Sequence, residues 1–231
     1  MSDKTPDYFA RTTAILSLLI AIVAIYVSFS QQETAQEIQQ DQFDILQKEN
    51  ISIKLNPYVN GEIRLTEIHL GPIGYVVQLP WKLTISNTCN RQLSIVEHFI
   101  TRGETPISTQ YSGIDGGLID MNSNPVRYPI SIEAGDSRTF YIFVGITVPE
   151  QIYNTLLSVK DKKNLTDRNV AQILGRQGID IYGNNVEYKE FDDKSYTFQI
   201  KDKEKAQRFW IHFTTGRGNV FLATAKKYEQ I

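Results

Sequence analysis

Cysteine is nearly absent from this sequence: Cys89 is the only one in 231 residues. A lone cysteine forms no internal disulfide, so the fold must rest on its hydrophobic core. Small secreted eukaryotic domains usually carry paired cysteines, which leaves a bacterial envelope or a cytosolic face as the setting. Cys89 sits in the turn-like stretch Asn87-Thr88-Cys89-Asn90, with no neighbouring His or Asp to make it a nucleophile. An excess of one charge is missing too. Lys and Arg number 24 against 26 Asp and Glu, a net charge of −2, which argues against a nucleic-acid partner.

Histidine is scarce, and His69, His98 and His212 each fall in a strand-like run. No His-Glu-x-x-His pair or Cys/His cluster is present, so no metal ligands, cofactor-binding residues or catalytic residues are assigned. Asp115, Asp120, Glu133 and Asp136 lie in or near glycine-rich loops, but without the spacing of a calcium loop. Gly216-Arg217-Gly218 lacks the Lys-Ser/Thr and the following helix of a phosphate loop, and a hairpin turn explains its glycines. The nucleophile elbow, the dinucleotide fingerprint and the kinase motifs are likewise missing. Lys160-Asp161-Lys162-Lys163 and Lys201-Asp202-Lys203-Glu204-Lys205 read as solvated loops, with contact to anionic headgroups as the alternative. Asn50-Ile51-Ser52 and Asn164-Leu165-Thr166 fit the glycosylation pattern, which matters only on a eukaryotic secretory route.

What the sequence does have is one long apolar run. Residues 12–32 carry no charge, and as a helix they span about 30 Å, the thickness of a bilayer core. Ala14, Ile15, Leu16, Leu18, Leu19, Ile20, Ile22, Val23, Ile25, Val27 and Phe29 supply its apolar surface, and Tyr26 and Phe29 suit the interface. The run is apolar all round, unlike a core helix with one greasy stripe. A cleaved signal peptide is the rival, with Ser28-Phe29-Ser30 as a small-residue cleavage pattern. The apolar stretch is long for that role, and Asp3 and Asp7 sit in the short leading segment. Lys4 and Arg11 precede the run, whereas Glu33, Glu37, Asp41 and Asp44 follow it before Lys48. The positive-inside rule then puts residues 1–11 in the cytoplasm and the bulk of the chain outside the inner membrane.

Residues 33–50 are rich in Gln and acids and read as a helical stalk; a coiled coil would need a steadier heptad than Ile38, Phe43, Ile45 and Leu46 provide. Asn56-Pro57 ends that region. Residues 51–231 read as a β domain. Trp81, Leu83 and Ile85 alternate with Lys82, Thr84 and Ser86, and residues 92–100 form a second strand. A turn-rich connection over 102–129 holds one short strand near Ile107–Tyr111. Ile130-Ser131-Ile132, the turn Glu133–Asp136 and a strand over 138–147 read as a hairpin. Pro149 and Glu150 open a helix through Ile152, Leu156 and Val159, and Thr166-Asp167 cap another, so 149–176 form a helical insertion. Strands resume at 179–182, 186–191, 196–201, 209–214 and 220–225. The class is mainly β, an antiparallel sandwich with a short helical insertion.

Leu83-Thr84-Ile85-Ser86-Asn87, Leu93-Ser94-Ile95-Val96, Pro129-Ile130-Ser131-Ile132-Glu133-Ala134-Gly135-Asp136 and Phe140-Tyr141-Ile142-Phe143, after an apolar start and a Gln-rich stalk, carry a resemblance. Together they resemble bacterial single-pass membrane-anchored proteins with an immunoglobulin-like domain. That resemblance implies a fold more than a role, and the helical insertion departs from it. Three expectations follow. The first is a non-enzymatic interaction module whose partners are the bilayer, through residues 12–32, and another membrane or envelope protein. The second is a ligand-binding or enzymatic domain with a pocket between insertion and sheet. The third is a tether for an operon-encoded partner. The oligomeric state is not legible.

Overall fold

A computed structural model describes residues 26, 27, 30–32, 48–160, 164–192, 195–201 and 207–227. The chain divides into two compact units, Met1–Lys48 and Glu49–Ile231. In the first, residues 26, 27 and 30–32 are helical, with Tyr26 and Val27 exposed. Among the described residues no helix is long and apolar enough to cross a membrane. The expected anchor, apart from those five residues, and the expected stalk up to residue 47 lie outside the described residues.

The second unit is mainly β. Its elements are β1 (Ile51–Pro57), β2 (Arg64–His69), β3 (Tyr75–Asn87), β4 (Leu93–Arg102), β5 (Asp115–Ile119), β6 (Ile130–Ile132), β7 (Ser137–Val148), α1 (Glu150–Lys160), α2 (Asp167–Gly175), β8 (Val186–Asp192), β9 (Ser195–Ile200), β10 (Phe209–Thr215) and β11 (Val220–Ala225). A five-stranded antiparallel sheet runs β1-β3-β7-β5, with β2 also paired to β3, and a four-stranded sheet runs β11-β10-β4-β6. β8 and β9 form a separate two-stranded ribbon.

The long β3–β7 register, from Tyr75 opposite Val148 to Ser86 opposite Ser137, aligns two alternating patterns. Val77, Leu79, Trp81, Leu83 and Ile85 of β3 then share a face with Phe140, Ile142, Val144, Ile146 and Val148 of β7. Ile95 and Ile100 of β4, Ile132 of β6, and Phe209, Ile211 and Phe213 of β10 join them in one contiguous buried cluster. Side chains from both sheets therefore build a single core, and burying that apolar surface is what drives the fold in the absence of a disulfide.

The two ends of these sheets differ. β1 starts at Ile51 opposite Asn87 and finishes at Pro57 opposite Trp81. At the N-terminal pole, the side-chain amide of Asn87 lies 2.7–3.1 Å from the carbonyls of Arg91, Ile132 and Glu133, and its oxygen accepts from Cys89 N. Glu49 accepts hydrogen bonds from Thr215 and Asn219. The opposite pole carries the helical insertion. Pro149 and Glu150 start α1, which buries Ile152, Tyr153 and Leu156. The Thr166 hydroxyl accepts from Asn169 N at 3.2 Å and caps α2, which buries Val170 and Leu174. Backbone bonds from Ile63 N to Leu165 O and from Arg168 N to Val59 O tie the insertion to the β1–β2 connection.

Four expectations need correction. Pro57 ends a strand, not a stalk; at the end of an outer strand its missing N–H costs little. Residues 107–111 form no strand; only Thr109 bridges Arg102, and the strand of this connection is β5. Residues 179–182 form a turn, because the Asp180 carboxylate captures the amides of Tyr182 and Asn184 that a ladder would need. The expected 130–147 hairpin is also absent. β6 pairs with β4 while β7 pairs with β3, so the turn at 133–136 crosses from one sheet to the other.

Candidate functional site

The outer face of the five-stranded sheet holds a cleft of about 590 Å³. Alternation puts Tyr141 and Phe143 of β7 on this face, since Phe140, Ile142 and Val144 point into the core. Tyr58, just past β1, stacks on Tyr141 with ring centroids 4.5 Å apart and planes 19° from parallel. Gly61 makes that approach possible: a Cβ there would come within 2.4 Å of the Tyr58 ring and 2.6 Å of Pro80. Arg64 of β2 lays its guanidinium 3.4 Å from the centre of the Phe143 ring and donates to Gly116 O at 3.1 Å. Stacking and hydrogen bond together fix the plane of the cation. Ile119, Met121, Ser123, Glu62 and Lys160 complete its lining. Burial and the neighbouring Tyr58 push the Tyr141 phenol up, so it is neutral at physiological pH. Chemically this is a floor of aromatic rings with one cation held over it. It can hold a flat or aliphatic group and an anion side by side.

A second constellation lies at the rim between the sheets. His98 of β4 places Nε2 3.1–3.2 Å from the carboxylate of Asp115 on β5, and the Tyr128 hydroxyl is hydrogen-bonded to His98 Nδ1. Burial pushes the Asp115 carboxyl up, but the His98 hydrogen bond and charge and the Gly117 amide together carry it below its ordinary value. Tyr128 goes strongly upward through burial and the charges of Asp115 and Glu97. The chain has the order nucleophile, base, orienting acid. Its phenol, however, is held protonated, and the arrangement pins β4 of one sheet to β5 of the other.

Of the other residues singled out in the sequence, His212 is buried, stacks on Phe99 with centroids 4.1 Å apart and lies 3.2 Å from the Thr101 hydroxyl; burial lowers its pKa. The His69 ring lies tilted against Tyr75, with centroids 4.5 Å apart. Cys89 donates to Asn50 O and accepts from Asn50 N. The oxygens of Asp120 accept from the amides of Asn122 and Asn124 and from the Asn124 side chain, which lowers its pKa, the Asn124 amide first. Asp180 repeats that turn with Asn184, so Asp-x-x-x-Asn here signals a turn and not a ligand set. Glu133 accepts from Gln92, and the Asp136 backbone pairs with Asn87 N. Among the described residues no three His, Cys, Asp or Glu side chains converge as metal ligands. Gly216–Gly218 turn the β10–β11 hairpin as expected. Residues 161–163 and 202–206 of the charged loops lie outside the described residues.

Sequence reasoning separated His98 from Asp115 and missed the cleft. The pattern Tyr141-x-Phe143 on the outward register of β7 was its one local signal; Tyr58, Gly61 and Arg64 join it only through strand pairing. No family model matches the chain, and no curated protein matches it in sequence.

Proposed function

We propose that the chain is a single-pass membrane-anchored binding module, in which residues 12–32 hold the N-terminus in the membrane and an immunoglobulin-like sandwich presents the outer-face cleft to a partner protein. The cleft carries this reading. Two stacked tyrosines, a fixed arginine and an exposed methionine, gathered on the face of a sheet whose core is already filled, have no part in holding the two sheets together. Concave surfaces of this size with a few placed polar groups are where ligands bind.

The immunoglobulin-like reading is supported by strand order. With β1, β3, β4, β5, β7, β10 and β11 taken as A to G, the sheets run A-B-E-D and G-F-C, the order of the constant-type sandwich. β6 is an addition beside C, and the insertion with its β8–β9 ribbon fills the E–F connection. The anchor reading is supported by the uncharged run over 12–32, and the outside placement of the domain by the basic residues before it. An enzymatic reading has one observation behind it, the Tyr128–His98–Asp115 chain, and the raised phenol counts against it.

The anchor is tested by alkaline extraction of membranes from cells that make the full chain. Retention of the full chain and release of a variant lacking residues 12–32 are expected; release of both overturns the anchor. The cleft is tested by a photoreactive amino acid at Met121. It should crosslink one partner in intact cells, and the same substitution at Val220, exposed on β11, should not. Equal crosslinking from both positions overturns the cleft as the binding surface.

A further inference from the structure

The shape of the cleft also restricts what it binds. Arg64 is anchored from two directions, by the Phe143 ring at 3.4 Å and by Gly116 O at 3.1 Å. Gly116 itself is pressed against the base of the same side chain: a Cβ there would lie 2.6 Å from Phe143 Cβ and from the Gln78 side chain. The guanidinium has five N–H groups. Among the described residues, only the Gly116 carbonyl accepts a hydrogen bond from it. A fixed plane with unused donors is pre-organised for a carboxylate, since little side-chain entropy remains to be lost on binding.

Charge around the cleft points the same way. Among the described residues, Arg64 and Lys160 line it against the single acid Glu62, and burial and the neighbouring Tyr58 push the Tyr141 phenol up. Beside the cation lie the Tyr58–Tyr141 stack and Met121, which is 55% exposed. A thioether on an unbranched chain adapts to the shape of an apolar group. We infer that the cleft takes an acidic peptide segment of a partner protein: a carboxylate on Arg64, with Lys160 adding long-range attraction, and a neighbouring aromatic or aliphatic side chain against Tyr58, Tyr141 and Met121. The inference rests on the cleft being the binding surface, and its test separates the two.

Met121 is one of only two methionines, the other being Met1, so methyl-labelled methionine gives a two-signal spectrum of the full chain in detergent micelles. The probes are the blocked tetrapeptides Gly-Phe-Glu-Gly, Gly-Phe-Gln-Gly and Gly-Phe-Lys-Gly, together with free 3-phenylpropionate. The Glu peptide should move the Met121 methyl signal saturably. The Gln peptide should bind about tenfold more weakly, the loss of one charge-assisted hydrogen-bond pair, and the Lys peptide more weakly still. Arg64→Ala should abolish the preference for Glu over Gln. Lys160→Gln, at an exposed position that leaves the Phe143 stack intact, should weaken the Glu peptide about twofold and steepen nothing else. Equal shifts from the Glu and Gln peptides would overturn the acidic-segment inference and leave the cleft standing. Tighter binding of 3-phenylpropionate than of the Glu peptide would also overturn it, in favour of a free organic acid. A Met121 signal unmoved by all four probes would overturn the cleft itself.

Discussion

At the N-terminal pole of the domain the contacts are polar and directional; at the helical pole they are apolar and extended. Asn87 serves the first, one amide reaching three carbonyls from two different turns, with Glu49 held beside it by Thr215, Asn219 and Arg217. Leu156 and Leu174 serve the second, both fully buried, with Tyr153 stacked on Tyr75 and bonded to Thr66 O. The difference follows from what each pole joins. Three tight turns meet at the first, so many backbone groups must be satisfied in little space. Two amphipathic helices meet a sheet at the second, and their stability comes from the packed face.

The comparison is most easily broken at the helical pole. Leu174→Ala removes a fully buried side chain and is expected to cost about 3 kcal/mol, read as a lower midpoint of chemical denaturation. If the insertion is an independent annex, its melting will separate from that of the sheets, and probes in α2 and in β10 will give different midpoints. Coincident midpoints are expected, because Ile152, Leu156, Val170 and Leu174 belong to the same buried cluster as the sheet residues.

Asn87→Ala comes next, at about 2 kcal/mol, because it leaves carbonyls at the N-terminal pole without their donor. The loss should appear as faster amide exchange in the 88–92 and 133–136 turns; uniform exchange would show that the amide is not what holds them. Glu49→Gln should cost about 1.5 kcal/mol, since the carboxylate side chain is only 6% exposed and its hydrogen bonds are charge-assisted. A variant as stable as the parent would move the start of the domain to residue 51.

Much of the fold was legible because its buried faces alternate in sequence. Trp81, Leu83 and Ile85, and Phe209, Ile211 and Phe213, announce their own orientation, and Pro149, Thr166 and Gly175 punctuate the insertion. Pairing was not legible. Ile130–Ile132 has the same alternation whether it returns beside β7 or crosses to β4, and only the assembled core decides. The cleft was hidden for the same reason. Arg64 and Phe143 meet because β2 and β7 both flank β3, a relation carried by no local motif. His98 was correctly placed on the opposite strand face from Glu97, yet its partners come from β5 and from the segment before β6.

That His98 chain, set between the two poles, yields the smallest effect and one with a definite pH signature. The Asp115 carboxyl lies below its ordinary value of 3.8 in the folded state. The unfolded chain therefore binds the proton more readily. The contribution of Asp115 is fully present above about pH 4 and is lost as pH falls through the folded-state pKa. Asp115→Asn keeps the size of the side chain but removes its charge. At pH 7 the variant should melt about 2 °C lower, the shift that about 1 kcal/mol gives in a domain of this size. The gap should close as both proteins are titrated below pH 3. A gap that stays constant down to that pH would mean the loss comes from packing at the β5 edge, and the charge of Asp115 would have no share in pinning the two sheets.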